Sequence, residues 1–145
     1  MYTNIPKNTY EDGPNGPVIH KANIITPLVT DSNEYQLEEK SRLERNQMVG
    51  LWATKPGALV KGNLRQLNTP VWESAYLTIV VEQTQVLEKI PFEHIRKANE
   101  NGLPYMISLP GRVNLSESKI TVADSANIPA NVVIEFQADF VKTRR

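Results

Sequence analysis

Asn131-Val-Val-Ile-Glu-Phe-Gln-Ala-Asp-Phe-Val-Lys142 alternates apolar and polar residues with little interruption. Val132, Ile134, Phe136, Ala138 and Phe140 fall on one side of an extended chain, and Val133, Glu135, Gln137, Asp139 and Val141 on the other. A period of two held over that length predicts a strand with one buried and one wet face. Val133 and Val141, on the wetter side, point to a second layer, a covering arm or another subunit.

Working back from this strand, the same grammar recurs. The polar loop Asp124–Ala130 precedes it. Val113–Leu115 and Lys119–Ala123 read as strands bracketing Ser116-Glu-Ser118, whose hydroxyls are suited to bonding nearby backbone. Tyr105–Leu109 is a further strand, stopped by Pro110-Gly111. Upstream lies the clearest helix. It starts at Pro91, carries Glu93 near its positive end and Arg96 and Lys97 near its negative end, and stops at Asn101-Gly102. Phe92 and Ile95 are expected to face the sheet. Before it come the expected strands Val86–Ile90, Val71–Glu82, Ala58–Leu67 (with Gly62 as a bulge or bend) and Met48–Thr54. That makes about eight strands and one short helix, with connections too short for repeated parallel crossovers. The expectation is an all-β, antiparallel β-sandwich over residues 48–145.

Residues 1–47 read differently. Four of the ten prolines (Pro6, Pro14, Pro17, Pro27) and the run Asp12-Gly-Pro-Asn-Gly-Pro17 predict an extended N-terminal arm through residue 33. It has room for a short strand around Val18–Ile25 and another at Leu28–Thr30. Such an arm either lies on a neighbouring subunit or is ordinary terminal irregularity. Residues 34–46 are charge-dense, with only Tyr35, Leu37 and Leu43 apolar, and predict a short surface helix or solvated connector.

Composition narrows the function. Sixteen basic residues balance sixteen acidic ones, so no long-range field gathers phosphates or an anionic membrane surface. The basic C-terminus (Lys142, Arg144, Arg145) is read as solubilising, and nucleic acid is not an expected partner. Without cysteine there are no disulfides, thiolate metal sites or Cys nucleophile. No apolar run has a membrane-spanning length, and the N-terminus lacks a secretory layout, so a cytoplasmically made, unsecreted protein is expected.

No motif carries chemistry. His94 lies in Phe92-Glu-His-Ile-Arg96, which has no ligand spacing, and His20 lies in the arm. Serine occurs without a nucleophile elbow, and Lys55-Pro-Gly-Ala-Leu-Val-Lys-Gly62 matches no phosphate loop. Glu11-Asp12 and Glu38-Glu39 are adjacent, exposed pairs. Trp52 and Trp72 each read as core or interface anchors. No residue is assigned a catalytic, cofactor-binding or metal-ligating role, and the chain is expected not to be an enzyme.

Across residues 71–142 the order of features resembles one family. The features are Leu77-Thr-Ile-Val-Val-Glu82, then Val86-Leu-Glu-Lys-Ile-Pro91 with its helix, Ile107-Ser-Leu-Pro110, Ser118-Lys-Ile-Thr-Val122 and Val132–Val141. In this order the chain resembles the single-jelly-roll penton and minor capsid proteins of tailless icosahedral bacterial viruses. The resemblance implies a jelly roll, no catalytic residues, assembly into symmetric homo-oligomeric rings, and packing against other coat proteins in a virion. The alternative is a ligand-binding sandwich, such as a carbohydrate-binding or receptor-attachment domain. In that case aromatic rings from among Tyr76, Tyr105, Trp52 and Trp72 would line a concave polar surface.

Overall fold

A computed structural model describes residues 12–14, 16–38, 43, 46–82, 85–107 and 111–142. In chain order its strands are β1 (Asp12–Gly13), β2 (Gly16–Pro17), β3 (Ile19–Pro27), β4 (Glu34–Gln36), β5 (Asn46–Ala53), β6 (Leu59–Lys61) and β7 (Leu64–Gln66). They continue with β8 (Ala75–Val81), β9 (Gln85–Pro91), β10 (Tyr105–Met106), β11 (Val113–Val122) and β12 (Val132–Lys142). The helices are α1 (Thr69–Trp72), a single turn, and α2 (Phe92–Glu100).

The predicted closing strand is β12, the middle of one sheet. Antiparallel β3 runs along one edge from Val133↔Pro27 to Val141↔Ile19. Antiparallel β5 runs along the other from Phe136↔Ala53 to Lys142↔Asn46, and β10 pairs outside β5. The second sheet has the order β4-β11-β8-β9, all antiparallel. Ile134, Phe136, Ala138 and Phe140 from the first sheet share one core with Leu77, Ile79, Ile120 and Val122 from the second. This is a two-layer β-sandwich, as the alternation requires.

Three expectations need correction. The boundary at residue 47 does not follow the packing. From Ile19 onward the supposed arm is a full-length strand, and Ala22, Ile24, Leu28 and Leu37 belong to the core. The short strand expected around Val18–Ile25 is there and is longer; proline-rich composition disguised its place in the core, and Pro27 ends it at a sheet edge, where a missing N–H costs no interior ladder bond. The charged connector supplies β4 over Glu34–Gln36 where a helix or solvated coil was expected, and Leu43 is buried. Residues 1–11 and 15 of the expected arm, 39–42, 44 and 45 of the connector, 108–110 at the end of the expected strand from Tyr105, and the basic residues Arg144 and Arg145 lie outside the described residues. Finally, the run from Val71 is not all strand. Asn68-Thr-Pro70 starts α1, proline suits a first helical turn, and Val71 and Trp72 go into the core from that turn.

Elsewhere the pattern holds with refinements. Gly62, at φ +55°, sits in the turn between β6 and β7, the bend of the two alternatives expected for it. That hairpin introduces the one parallel pairing among the described strands, Val132↔Arg65 and Val133↔Gln66. α2 follows Pro91 and ends before Gly102 at φ +73°, with Phe92 and Ile95 buried and His94 exposed. Trp72 meets Phe92 at 5.3 Å and Phe92 meets Phe136 at 6.0 Å, both as tilted pairs, so the two helices pack together against β12. The segments around Ser116-Glu-Ser118 form one interrupted strand, β11. Ser118 Oγ accepts the Val80 N–H at 3.0 Å and donates to the Asn114 carbonyl at 2.7 Å across the interruption. Val133 and Val141 are fully buried within this one chain. The two-faced pattern of β12 therefore needs no second subunit to explain it.

Candidate functional site

The outward face of the β3–β12–β5 sheet is polar, and its residues come in rows set by register. Gln137 lies opposite Asn23 on β3 and Trp52 on β5. One row further along, Glu135 lies opposite Ile25, and Thr54, just past the end of β5, reaches it from the other side. The preceding row is Lys21, Asp139 and Gly50. Because side chains alternate along each strand, the apolar partners of these residues turn inward and leave the polar set together outside.

Asp139 organises this face. It is 1% exposed, and its carboxylate accepts the Trp52 indole N–H at 3.1 Å on one oxygen and the Gln137 amide at 3.1 Å on the other. A buried carboxylate tolerates that position only when well supplied with donors, and it fixes the orientation of the groups that supply them. Gln137 spends Nε2 on Asp139, which leaves its Oε1 as an acceptor. Thr54 donates to Glu135 Oε1 at 2.7 Å. Asn23, Trp52, Ala53, Thr54, Glu135 and Gln137 together line an open groove of about 190 Å³.

A second recess of about 200 Å³ lies between α1 and α2, bordered by Lys55, Glu73, Glu93, Arg96 and Lys97. With Glu100 the lining has three cations and three carboxylates, so its formal charge is balanced.

The histidines do not converge. His20 is half-buried beside Phe140, at the end of the sheet away from the helices, whereas His94 is exposed on α2. Among the described residues no group of three or more His, Asp or Glu is placed to hold a metal ion, and no helix is long and apolar enough to cross a membrane. Of the aromatic residues singled out in the sequence, Trp72 is core and Tyr105 packs against it, Tyr76 is half-buried on β8, and Trp52 alone lines the groove. Asn23, Glu135 and Gln137 carried no signal of their own. Only the strand register brings them together, and register between distant segments is not written in either segment. No family model, curated protein or solved structure matches the chain.

Proposed function

We propose that this chain is a jelly roll that self-associates as a structural component of a virion, of the penton or minor capsid kind. The observation that carries this reading is the strand order. β3-β12-β5-β10 faces β4-β11-β8-β9, with every pairing in these two sets antiparallel. Apart from the β8–β9 hairpin, sequence neighbours among these eight strands fall in opposite layers, an order that two interlocked Greek keys produce, and viral coat domains use that architecture repeatedly.

The distribution of exposed apolar side chains supports association. The loops after β3, after β5 and after α2 leave the sandwich at one end, because Pro27, Ala53 and Tyr105 all pair near that end of β12 and β5. Two of those loops carry Val29 and Leu103, and Leu59 begins β6 just after the third; they are 61%, 52% and 58% exposed. Three large aliphatic residues at one end are suited to contact with another protein chain. Lectin domains share the architecture, so fold alone does not choose between the readings; the apolar end favours protein contact.

Size-exclusion chromatography with light scattering tests the proposal. A discrete oligomer is expected, and Leu59→Ser with Leu103→Ser should dissociate it into a monomer that still unfolds cooperatively. A monomer whose mass is independent of concentration would count against it.

A further inference from the structure

We propose that the groove on the outward face of the β3–β12–β5 sheet is a binding site for a neutral pyranose sugar. The argument starts from what lines it: one indole, two primary amides, one hydroxyl and one carboxylate, with no cation among the described residues. An anionic ligand would meet the Glu135 carboxylate without a compensating charge, so phosphates and sialic-type acids are disfavoured. A wholly apolar ligand would strand the polar groups. A ring bearing several hydroxyls and an apolar face satisfies both sets of groups.

The positions fit such a ring. Strands lie about 4.8 Å apart, so Asn23 and Gln137 present hydrogen-bonding groups at a spacing comparable to that of alternate hydroxyls on a pyranose. Glu135 Oε2, Gln137 Oε1 and the Asn23 amide take no hydrogen bond from the described residues and face hydroxyl donors as acceptors, with the Asn23 NH₂ as donor. Trp52, tethered through its N–H to Asp139, supplies a flat surface for the C–H face of the ring. Because Asp139 holds both Trp52 and Gln137, the site is arranged before ligand arrives, which lowers the ordering cost of binding.

The site binds and does not hydrolyse. Glycoside cleavage uses two carboxyl groups roughly 5–10 Å apart across the sugar. Here Glu135 is the one carboxylate lining the groove among the described residues, and both oxygens of the buried Asp139 already accept hydrogen bonds from the protein.

The test is a two-dimensional amide NMR titration of the full chain that follows the Trp52 indole N–H. The probes are D-glucose, D-galactose, D-mannose and N-acetylglucosamine, with tetramethylammonium and inorganic phosphate as controls. One of the sugars should shift the Trp52 resonance with a Kd on the order of 1 mM, as suits a small ligand in a shallow site. The Trp72 indole, buried in the core, should not move. Asn23→Ala, an exposed position on an edge strand, should weaken binding at least about fivefold with an unchanged unfolding midpoint, and Glu135→Ala similarly weakens binding while losing the Thr54 hydrogen bond. The proposal is overturned if no sugar shifts Trp52 at about a hundredfold above that concentration. It is also overturned if Asn23→Ala binds as tightly as the parent, or if the ammonium or phosphate control is the ligand that binds.

Discussion

The carboxamide of Gln66 stands in for a missing strand residue beside Glu135. Its Nε2 donates to the Glu135 carbonyl at 2.9 Å and its Oε1 accepts the Glu135 N–H at 2.7 Å. The pairing is needed because β7 leaves β12 after Val133 and β5 joins it only at Phe136. Between them, the backbone of Glu135 would face a gap in the ladder, and an unpaired backbone group in that position is costly. The same Nε2 also reaches the Thr54 carbonyl at 3.1 Å, so one fully buried side chain joins three segments and fixes the residue on which the groove depends.

Gln66→Ala removes partners from the Glu135 N–H, the Glu135 carbonyl and the Thr54 carbonyl at once. The expected loss is about 3 kcal/mol, since each orphaned buried group costs on the order of 1–3 kcal/mol and water can enter part of the space. Gln66→Glu should do almost as badly, because a carboxylate has no proton to offer either carbonyl. Urea denaturation checks both, and a midpoint close to the parent's would show that the staple contributes little.

A similar repair occurs in the facing sheet. Between Asn114↔Val80 and Lys119↔Thr78 the register slips, and Ser118 Oγ takes over the Val80 N–H. Ser118 is fully buried, so Ser118→Ala leaves that donor without water as a substitute and should cost about 1–2 kcal/mol. Ser118→Thr keeps the hydroxyl and should recover part of the loss. Thermal melts of the pair discriminate between a lost hydrogen bond and a general intolerance of change.

The opposite sign is expected at Thr26. Its Oγ1 is buried without a hydrogen-bond partner on β3. Thr26→Val exchanges that hydroxyl for a methyl of similar shape, relieves the desolvation cost and suits the strand. A gain of about 1 kcal/mol is expected, a rise in Tm of roughly 2–4 °C for a chain of this size. A lower Tm would mean the hydroxyl is better accommodated than its surroundings suggest.

These three positions also show what the sequence could and could not disclose. Phe136 and Phe140 announced the core face of β12 because alternation is a local property, and Pro91 and Gly102 marked α2 by local backbone preference. Gln66 and Ser118 gave no such signal. Their roles arise where two distant segments fall out of register, and neither segment alone encodes the slip. The same holds for the row Asn23–Gln137–Trp52, which exists only once three strands are aligned. β3 was obscured for another reason. Prolines at positions 14, 17 and 27 flank it, and turn chemistry on both sides masked the alternation of Ala22, Ile24 and Thr26 within.

Deletion of residues 2–33 turns that point into a measurement. Read as an arm, the segment is dispensable for folding and its loss should affect only association. Its packing implies otherwise. β3 pairs with β12 along nine consecutive Cα partners, and its removal would uncover Ile134, Phe136 and Phe140 along the edge of the core. At about 1 kcal/mol per backbone hydrogen bond, together with burial of Ala22, Ile24 and Leu28, the strand contributes as much as the whole 5–15 kcal/mol by which such a domain is stable. The truncated chain should therefore lack a cooperative thermal transition and near-ultraviolet circular dichroism. A cooperative melt in the deletion variant would return β3 to the role of an accessory arm and would leave β12 and β5 as a sheet able to stand without it.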